Sequence, residues 1–591
     1  VIDSPLRSEQ SSETEGILFV HWGLQFTKTK PDEAIGLQKP EKGLLLKPYP
    51  AMALPLIPLI ACILLFGLAV YQFIIHPTFL SPLSEIPNAH WSAPISRLWI
   101  LLHRGQHKQT PLIHSAHEKL GPIIRLAPNE VSVNSVDGGI RTIYSGGWEK
   151  GDWYLNVFNN YGVMPMFSMP THALHSRRKR MLSNIYAKGT LQASAAMTAN
   201  TLTLLHDRIV PRLRAMAADK KPAEFYDLFS AAAMDFVVAY IFGLKNGTNF
   251  VREPTMGKKF FRDYKARQRY AFFPQEMPKF TKLMSKIGLR HVCVPQWVDQ
   301  ANADIEDWLL GMCDKAESTL RTVEREGEKG RVEDWPTVYA QLRNALLKDS
   351  AKALPDAKSE DESVTALRLQ IASELLDHTL AGFDTSSITL TWLAWELSKP
   401  QNLKWQEQLH TELNTLNGSR DAKELDSLPV LHAIIQETLR LHAAIPGNQP
   451  RITPSSPSTL GANGHEVSGL PPNVRVQAQA WSLHREASVF PEPETWRPSR
   501  WLERRNGGDS TPEHIREMQR WFWAFGSGGR MCVGSNLAML DMKAIVAGIW
   551  ADFRTTIADD SGMKPNGGYE AEPVGRDGRF LLLNVEEVGG Q

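Results

Sequence analysis

The chain has 591 residues, 42% apolar and 22% charged, an ordinary globular composition with enough length to bury a large core. Lys and Arg total 65 against 64 Asp and Glu, a balance that argues against a nucleic-acid binder working through a basic face. Four cysteines, Cys62, Cys293, Cys313 and Cys532, form no C-x-x-C pair, so neither a disulfide framework nor a zinc site is indicated, and their scarcity fits a reducing compartment.

Residues 1–51 are mixed and polar without helical periodicity, and Met52 is the first methionine. They read as a disordered tail or as a gene-model artefact before a start at Met52. Residues 54–75, LPLIPLIACILLFGLAVYQFII, carry no formal charge. A helix of that length, at roughly 1.5 Å per residue, spans roughly 30 Å of hydrocarbon and predicts a transmembrane anchor. A buried core helix and a cleaved signal peptide pass the same test, but the run is long for a signal and no A-x-A site follows. Pro77, Pro82, Pro87 and Pro94 predict a stiff, non-helical neck over 76–95. Arg97, Arg104 and Lys108 on one side and Lys42 and Lys47 on the other leave the anchor's orientation undecided by charge. From 96 to 591 there is no repeat and no long linker, which predicts one large domain.

Within that domain, residues 175–182, HSRRKRML, carry the cations Arg177, Arg178, Lys179 and Arg180, which read alone are a solvated helix face. Residues 365–398 are apolar nearly all round, predicting a long helix buried on most sides. Gly382 in its middle costs about 1 kcal/mol relative to Ala; with Asp384 and Thr385 it reads alone as a packing glycine beside a locally bonded pair. In HAIIQETLRLH, Glu437 and Arg440 share one helix face at i, i+3, and their apolar flanks point to a buried ion pair rather than a surface one. In residues 525–534, FGSGGRMCVG, the glycines permit unusual backbone shapes and close approach. A lone cysteine is ordinarily a small core residue. Here residues 536–550 have helical periodicity, so Cys532 sits just before a helix N-terminus, where backbone N–H groups and the helix dipole stabilise an anionic sulfur. A thiolate held so can ligate a metal or attack an electrophile.

Together these segments resemble the cytochrome P450 family, and the wording near Cys532 looks most like its fungal microsomal members. The haem signature F-x-x-G-x-R-x-C-x-G is matched by Phe525, Gly528, Arg530, Cys532 and Gly534. The E-x-x-R motif is matched by Glu437 and Arg440, with Arg500 in TWRPSRW as the second arginine. The oxygen-activation motif is matched by Ala381, Gly382, Asp384, Thr385 and Ser386. The resemblance implies a mainly α fold with a small β-rich lobe, a helical prism preceded by one N-terminal transmembrane helix, with the first strand pair in residues 119–133. It implies haem b (iron protoporphyrin IX) as cofactor, with Cys532 as axial ligand, Phe525 packed beside the thiolate, and Arg530 and Arg451 paired with haem propionates. Gly382 would open room over the haem, and Asp384 and Thr385 would steer protons. Glu437, Arg440 and Arg500 would hold the cysteine loop, a structural role.

The family's W-x-x-x-R is not matched: His175 and Lys179 stand in those positions as hydrogen-bond donors. The resemblance places that helix where an acidic reductase docks. Substrate contacts would come from Trp153–Met169, the patch near Tyr270–Phe273, Ala444–Gly447 and the loop near Val574, whose apolar and aromatic residues suggest a lipophilic substrate. The implied function is a monooxygenase inserting one oxygen atom from O2 into a lipophilic small molecule of secondary metabolism. Electrons would come from NADPH through NADPH–cytochrome P450 reductase. The implied location is the endoplasmic reticulum membrane, single-pass, with the catalytic domain 96–591 facing the cytosol. Two alternatives stay open: the same fold running isomerisation, dehydration or oxidative coupling without net oxygen insertion, and a non-enzymatic haem-binding membrane protein, which would leave Asp384 and Thr385 without a purpose.

Overall fold

The computed structural model describes residues 56–327, 330–350, 360–462, 464–576, 578 and 580–588. The expectations for residues 1–51 and for a start at Met52 lie outside them. The chain divides into two units, Val1–Leu65 and Phe66–Gln591. In the first, the described residues belong to the uncharged helix Leu56–Val70, which is exposed from Ile57 to Ala69.

Helical backbone continues in the second unit to Leu80. Ile57–Leu80 is a 24-residue stretch of mean hydropathy 2.3, unburied and long enough to cross a membrane. The break expected after Ile75 is therefore absent. A proline in a helix leaves one carbonyl without its donor. Here wider turns carry the backbone over Pro77, and the helix closes where the Ser81 N–H donates to the His76 carbonyl at 2.8 Å. Turns follow, starting with Pro82–Glu85, capped by the Ser81 hydroxyl accepting from the Leu83 N–H at 3.2 Å. Buried Arg125 fixes this stretch by donating to the Pro77 carbonyl at 2.7 Å.

The second unit is mainly helical. Phe225–Phe242 is apolar on every side and satisfies the same length and hydropathy test as a membrane span, yet 94% of its apolar window is buried in the core. It packs along the 39-residue helix Glu360–Ser398. That helix starts five residues earlier than its apolar periodicity predicts. Periodicity marks only the buried part: residues 364–370 are exposed or half-buried, and burial is nearly continuous from Ile371 on.

The strands described form four small sheets, and the four-stranded sheet and the pair Ser458–Leu460 with Val467–Leu470 share one apolar core. In the largest, Ile123–Ala127 pairs antiparallel with Glu130–Val133, Ile123 opposite Val133. Glu130–Val133 runs parallel to Arg475–Gln477, which pairs antiparallel with Arg451–Ile452, Arg451 opposite Val476. Residues 119–133 thus supply the expected strand pair, and the sheet edge delivers Arg451 to the interior.

Candidate active site

A cavity of about 1120 Å³ lies within the second unit, and Cys532 lines it. The loop before the helix Ser535–Trp550 closes where the Cys532 N–H donates to the Phe525 carbonyl at 3.0 Å. Gly528 has φ +69°, and a Cβ there would fall 2.2 Å from the Tyr144 carbonyl oxygen, so this approach admits glycine alone. Gly534 has an ordinary φ of −86°. A Cβ on it would point into the space beside the Cys532 Sγ, 4.0 Å away, so its lack of a side chain leaves a cradle there.

The exposed surface of Cys532 opens into the cavity rather than to bulk water. Burial pushes its thiol above the ordinary value, outweighing the N–H groups of Gly534 and Ser535 and the Lys179 ammonium, which favour the anion. The helix start acts in the expected direction, but a cation at sulfur is what would complete ionisation.

Among the cations that line the cavity are Lys150, Arg451 and Arg530. Buried Lys150 donates to the Phe167 carbonyl, its ammonium 4.1 Å from the Tyr154 ring centre and 3.9 Å from that of Phe167. Buried Arg451 donates to the Pro450 carbonyl at 2.8 Å and the Tyr154 hydroxyl at 3.2 Å. Half-buried Arg530 donates to the carbonyls of Met169 and Pro170 at 2.6 and 2.8 Å. None of the three has an ion pair among the described residues. Burial, then their mutual repulsion, pushes the Lys150 amine well down and Arg530 to about 10. Uncompensated buried charge is costly, so this trio is built for an anion. A thiol in a glycine cradle and an anion site in one large cavity fit an iron macrocycle carrying carboxylates.

His175 is buried beside them. Burial and the charges of Arg530, Lys150 and Lys179 push it to about 3, so it offers a neutral N–H and no charge. Lys179, expected as a hydrogen-bond donor, donates within the protein. Its ammonium donates to the carbonyls of Gly529 and Met531 at 2.9 and 3.1 Å and so pins the cysteine loop. The neighbouring cations are no simple solvated face either: Arg177 pairs with Asp349 at 2.7 Å and Arg178 with the buried Glu374 at 3.3 Å.

On the long helix, Ala381 and Thr385 line the cavity, and the Thr385 hydroxyl donates to the Ala381 carbonyl at 2.9 Å. Gly382 lines the cavity too, as does Val237. A Cβ on Gly382 would meet Val237 Cγ2 at 2.6 Å, so its missing side chain lets two helices touch. Asp384, in the same lining, is held from a neighbouring helix. Its buried carboxylate is ion-paired with Lys265 and accepts from the Tyr264 hydroxyl and the Gln268 amide, both at 3.1 Å. Those three residues sit on the helix Pro254–Gln268.

Glu437, Arg440 and Arg500 meet at full burial. The Arg440 guanidinium donates to both Glu437 oxygens at 2.9 and 2.8 Å, Arg500 Nε to one at 3.0 Å, and the Trp501 indole to the other at 2.9 Å. The cations and hydrogen bonds together hold the Glu437 carboxyl below its usual range despite burial. The network reaches the cysteine loop through a residue the motifs do not flag. His484 Nδ1 donates to the Arg440 carbonyl at 2.8 Å, and its Nε2 accepts from the Trp523 N–H at 2.7 Å. Lys150 is the other residue that sequence reasoning missed; its one signal is a lysine embedded among aromatics in WEKGDWYLNVF. Of the expected substrate segments, Trp153, Tyr270 and Ala444 line the cavity, whereas the C-terminal loop contributes through Tyr569 rather than Val574.

Residues 91–569 match the Cytochrome P450 family. The chain is similar to the Cytochrome P450 monooxygenase avaI of Aspergillus versicolor, 26% identical over 439 residues that cover 72% of this chain and 94% of that one. It is 27% identical to the Cytochrome P450 monooxygenase stcB of Emericella nidulans, over 79% of this chain and 81% of that one. It is 25% identical to the Tryprostatin B 6-hydroxylase of Aspergillus fumigatus, over 82% and 77%. With the family pattern running across most of its length and the cysteine loop facing the cavity, the chain belongs to the cytochrome P450 family and is an enzyme of the cytochrome P450 monooxygenase class.

Proposed function

We propose that the chain binds haem b through Cys532 and inserts one atom of O2 into a lipophilic small molecule in secondary metabolite biosynthesis. Electrons would come from NADPH through NADPH–cytochrome P450 reductase. One observation carries this reading: a thiol and an uncompensated trio of cations face the same cavity. When bound, haem supplies dioxygen activation. Arg451, Arg530 and Lys150 hold its carboxylates, and His175 adds a neutral donor. Phe525 and Gly534 shape the space around the sulfur. Thr385 holds a proton at Oγ1 beside the cavity, and Asp384, fixed by Lys265, keeps the helix Pro254–Gln268 against the long helix. The names of fungal relatives, one a hydroxylase, support a place in secondary metabolism.

The apolar stretch Ile57–Leu80 supports a single-pass anchor in the endoplasmic reticulum membrane with residues 96–591 in the cytosol. A second apolar surface supports membrane contact: Phe280, Leu283, Ile287, Leu289 and Val292 are exposed among Lys279, Lys282 and Lys286.

The test compares metabolites of the source organism with those of a Cys532→Ala strain under isotopically heavy dioxygen. The expected result is one product lost, one less oxygenated compound accumulating, and heavy oxygen in the lost product of the parent strain. Coupling or rearrangement without oxygen insertion is the second reading, favoured by the engagement of Asp384 with Lys265. A product that vanishes in the mutant but carries no heavy oxygen would establish it instead.

A further inference from the structure

Along the long helix, Asp377, Ala381 and Thr385 recur at i, i+4 and i+8, hence on one face, and all three line the cavity. Asp377 stands apart from the other carboxylates of that lining. Asp384 and Glu572 are ion-paired with Lys265, Glu276 with Arg104 and Arg475, and Asp299 with Arg290, while Glu570 accepts from the Gln268 amide at 3.0 Å. Glu306 accepts from the Tyr161 N–H at 2.6 Å. Asp541 also lacks a partner for Oδ1, but it is buried, and burial pushes its carboxyl well above the usual range, against the charged form. Asp377 is half-buried, open to the cavity, and has neither a hydrogen bond nor an ion pair among the described residues.

The charged groups around Asp377 do not satisfy it. Glu374 and His378 flank it on its own helix, and the Glu374 carboxylate is taken by Arg178 and the Met166 N–H. Lys150 faces it from the segment before the helix Asp152–Leu155 but is seated on the Phe167 carbonyl between two rings. Cys532 and Tyr569 lie within reach of its field. The Tyr569 ring in turn pairs with Trp153 at 5.6 Å between centres. A carboxylate without a partner in such a place is costly unless a ligand brings the charge, and an ammonium beside aromatic faces is held by both.

We propose that Asp377 determines substrate specificity by anchoring the protonated amine of a lipophilic substrate beside the Trp153–Tyr569 pair. The inference rests on the lipophilic-substrate reading and narrows it to molecules with a basic nitrogen. The surroundings agree: burial raises the Asp377 carboxyl to about 7, and an ammonium brought beside it restores the carboxylate.

The test measures binding of two probes to the purified full-length, haem-loaded protein by calorimetry. One probe is a phenylalkyl trimethylammonium, too crowded to ligate iron; the other is its uncharged tert-butyl isostere. The parent protein should prefer the cation by roughly tenfold or more, the effect of a charged contact out of water. Asp377→Asn should bring the two affinities within roughly twofold without moving the neutral probe, and Asp377→Glu should keep part of the preference. Equal binding of both probes by the parent, as a closed Lys150–Asp377 pair would give, overturns the proposal and leaves the lipophilic cavity standing. So does a preference that survives in Asp377→Asn. If neither probe binds the parent, the lipophilic-substrate reading falls and this proposal with it.

Discussion

Lys150 is a buried ammonium resting on one carbonyl and two aromatic faces, so its contribution depends on the anion it meets. If that anion is a carboxylate of bound haem, Lys150→Met removes a charge-assisted contact and should speed haem transfer to an acceptor protein by on the order of tenfold. Lys150→Arg should retain most of the affinity. Transfer rates unchanged in Lys150→Met would remove Lys150 from the site. The residue shows what a sequence can and cannot disclose at this scale. Cys532, Arg530 and Gly528 were legible because a ten-residue loop concentrates them in one recognisable spacing. Lys150 and Cys532 are brought together only by the fold, and no local pattern joins them. For Lys179, motif position located the helix and the donor, but which acceptor its flexible stem reaches depends on the loop packed against it. Gly382 likewise sits in its motif, while the atom its missing side chain makes room for belongs to another helix.

Between elements, the rigid join runs from the helix Pro429–Leu441 through His484 to the residues before the cysteine loop. His484 has one ring nitrogen donating and one accepting, so only the neutral imidazole fits. Burial pushes it from 6.5 to about 3. The folded form thus binds this proton later than the unfolded chain does. The stability it confers is complete above pH 6.5 and is lost as pH falls toward 3. Between pH 6.5 and pH 5 the loss from this one group is about 2 kcal/mol. His484→Gln offers a donor and an acceptor without a titrating site. Urea unfolding of the haem-loaded protein should therefore show a shallower decline in stability over that window in the variant than in the parent. Identical declines would place the acid sensitivity in other histidines, such as the buried His117 or the half-buried His432, both pushed to about 4. The elements themselves followed their periodicities where burial is all-round, as in the long helix. They departed where a backbone adjustment has no side-chain signature, as in the wide turns across Pro77.

At the scale of the whole molecule, two apolar features bear on where the protein works. Helices Ile57–Leu80 and Phe225–Phe242 both have the length and composition that suggest a membrane span, and the packed structure separates them: one is unburied, the other lies in the core. The second feature, around Phe280, Leu283, Ile287 and Leu289, escapes any length criterion because its apolar residues alternate with lysines along a nine-residue helix and the segment after it. The two predict separable behaviours. The full chain should resist alkaline carbonate extraction from microsomes. A form lacking residues 1–75 keeps the Pro77 carbonyl that Arg125 holds, and so keeps that anchor point of the fold. It should be extracted by carbonate yet still sediment with membranes at moderate salt. Each exposed Leu or Ile that enters the lipid boundary is worth about 1.5–3 kcal/mol, so changing Leu283, Ile287 and Leu289 to Ser in the shortened form should shift it largely to the supernatant. Carbonate resistance in the shortened form would refute the anchor. Full solubility before the serine changes would refute the surface patch, because binding lost with the first 75 residues alone leaves the lysine-flanked face no part in holding the membrane.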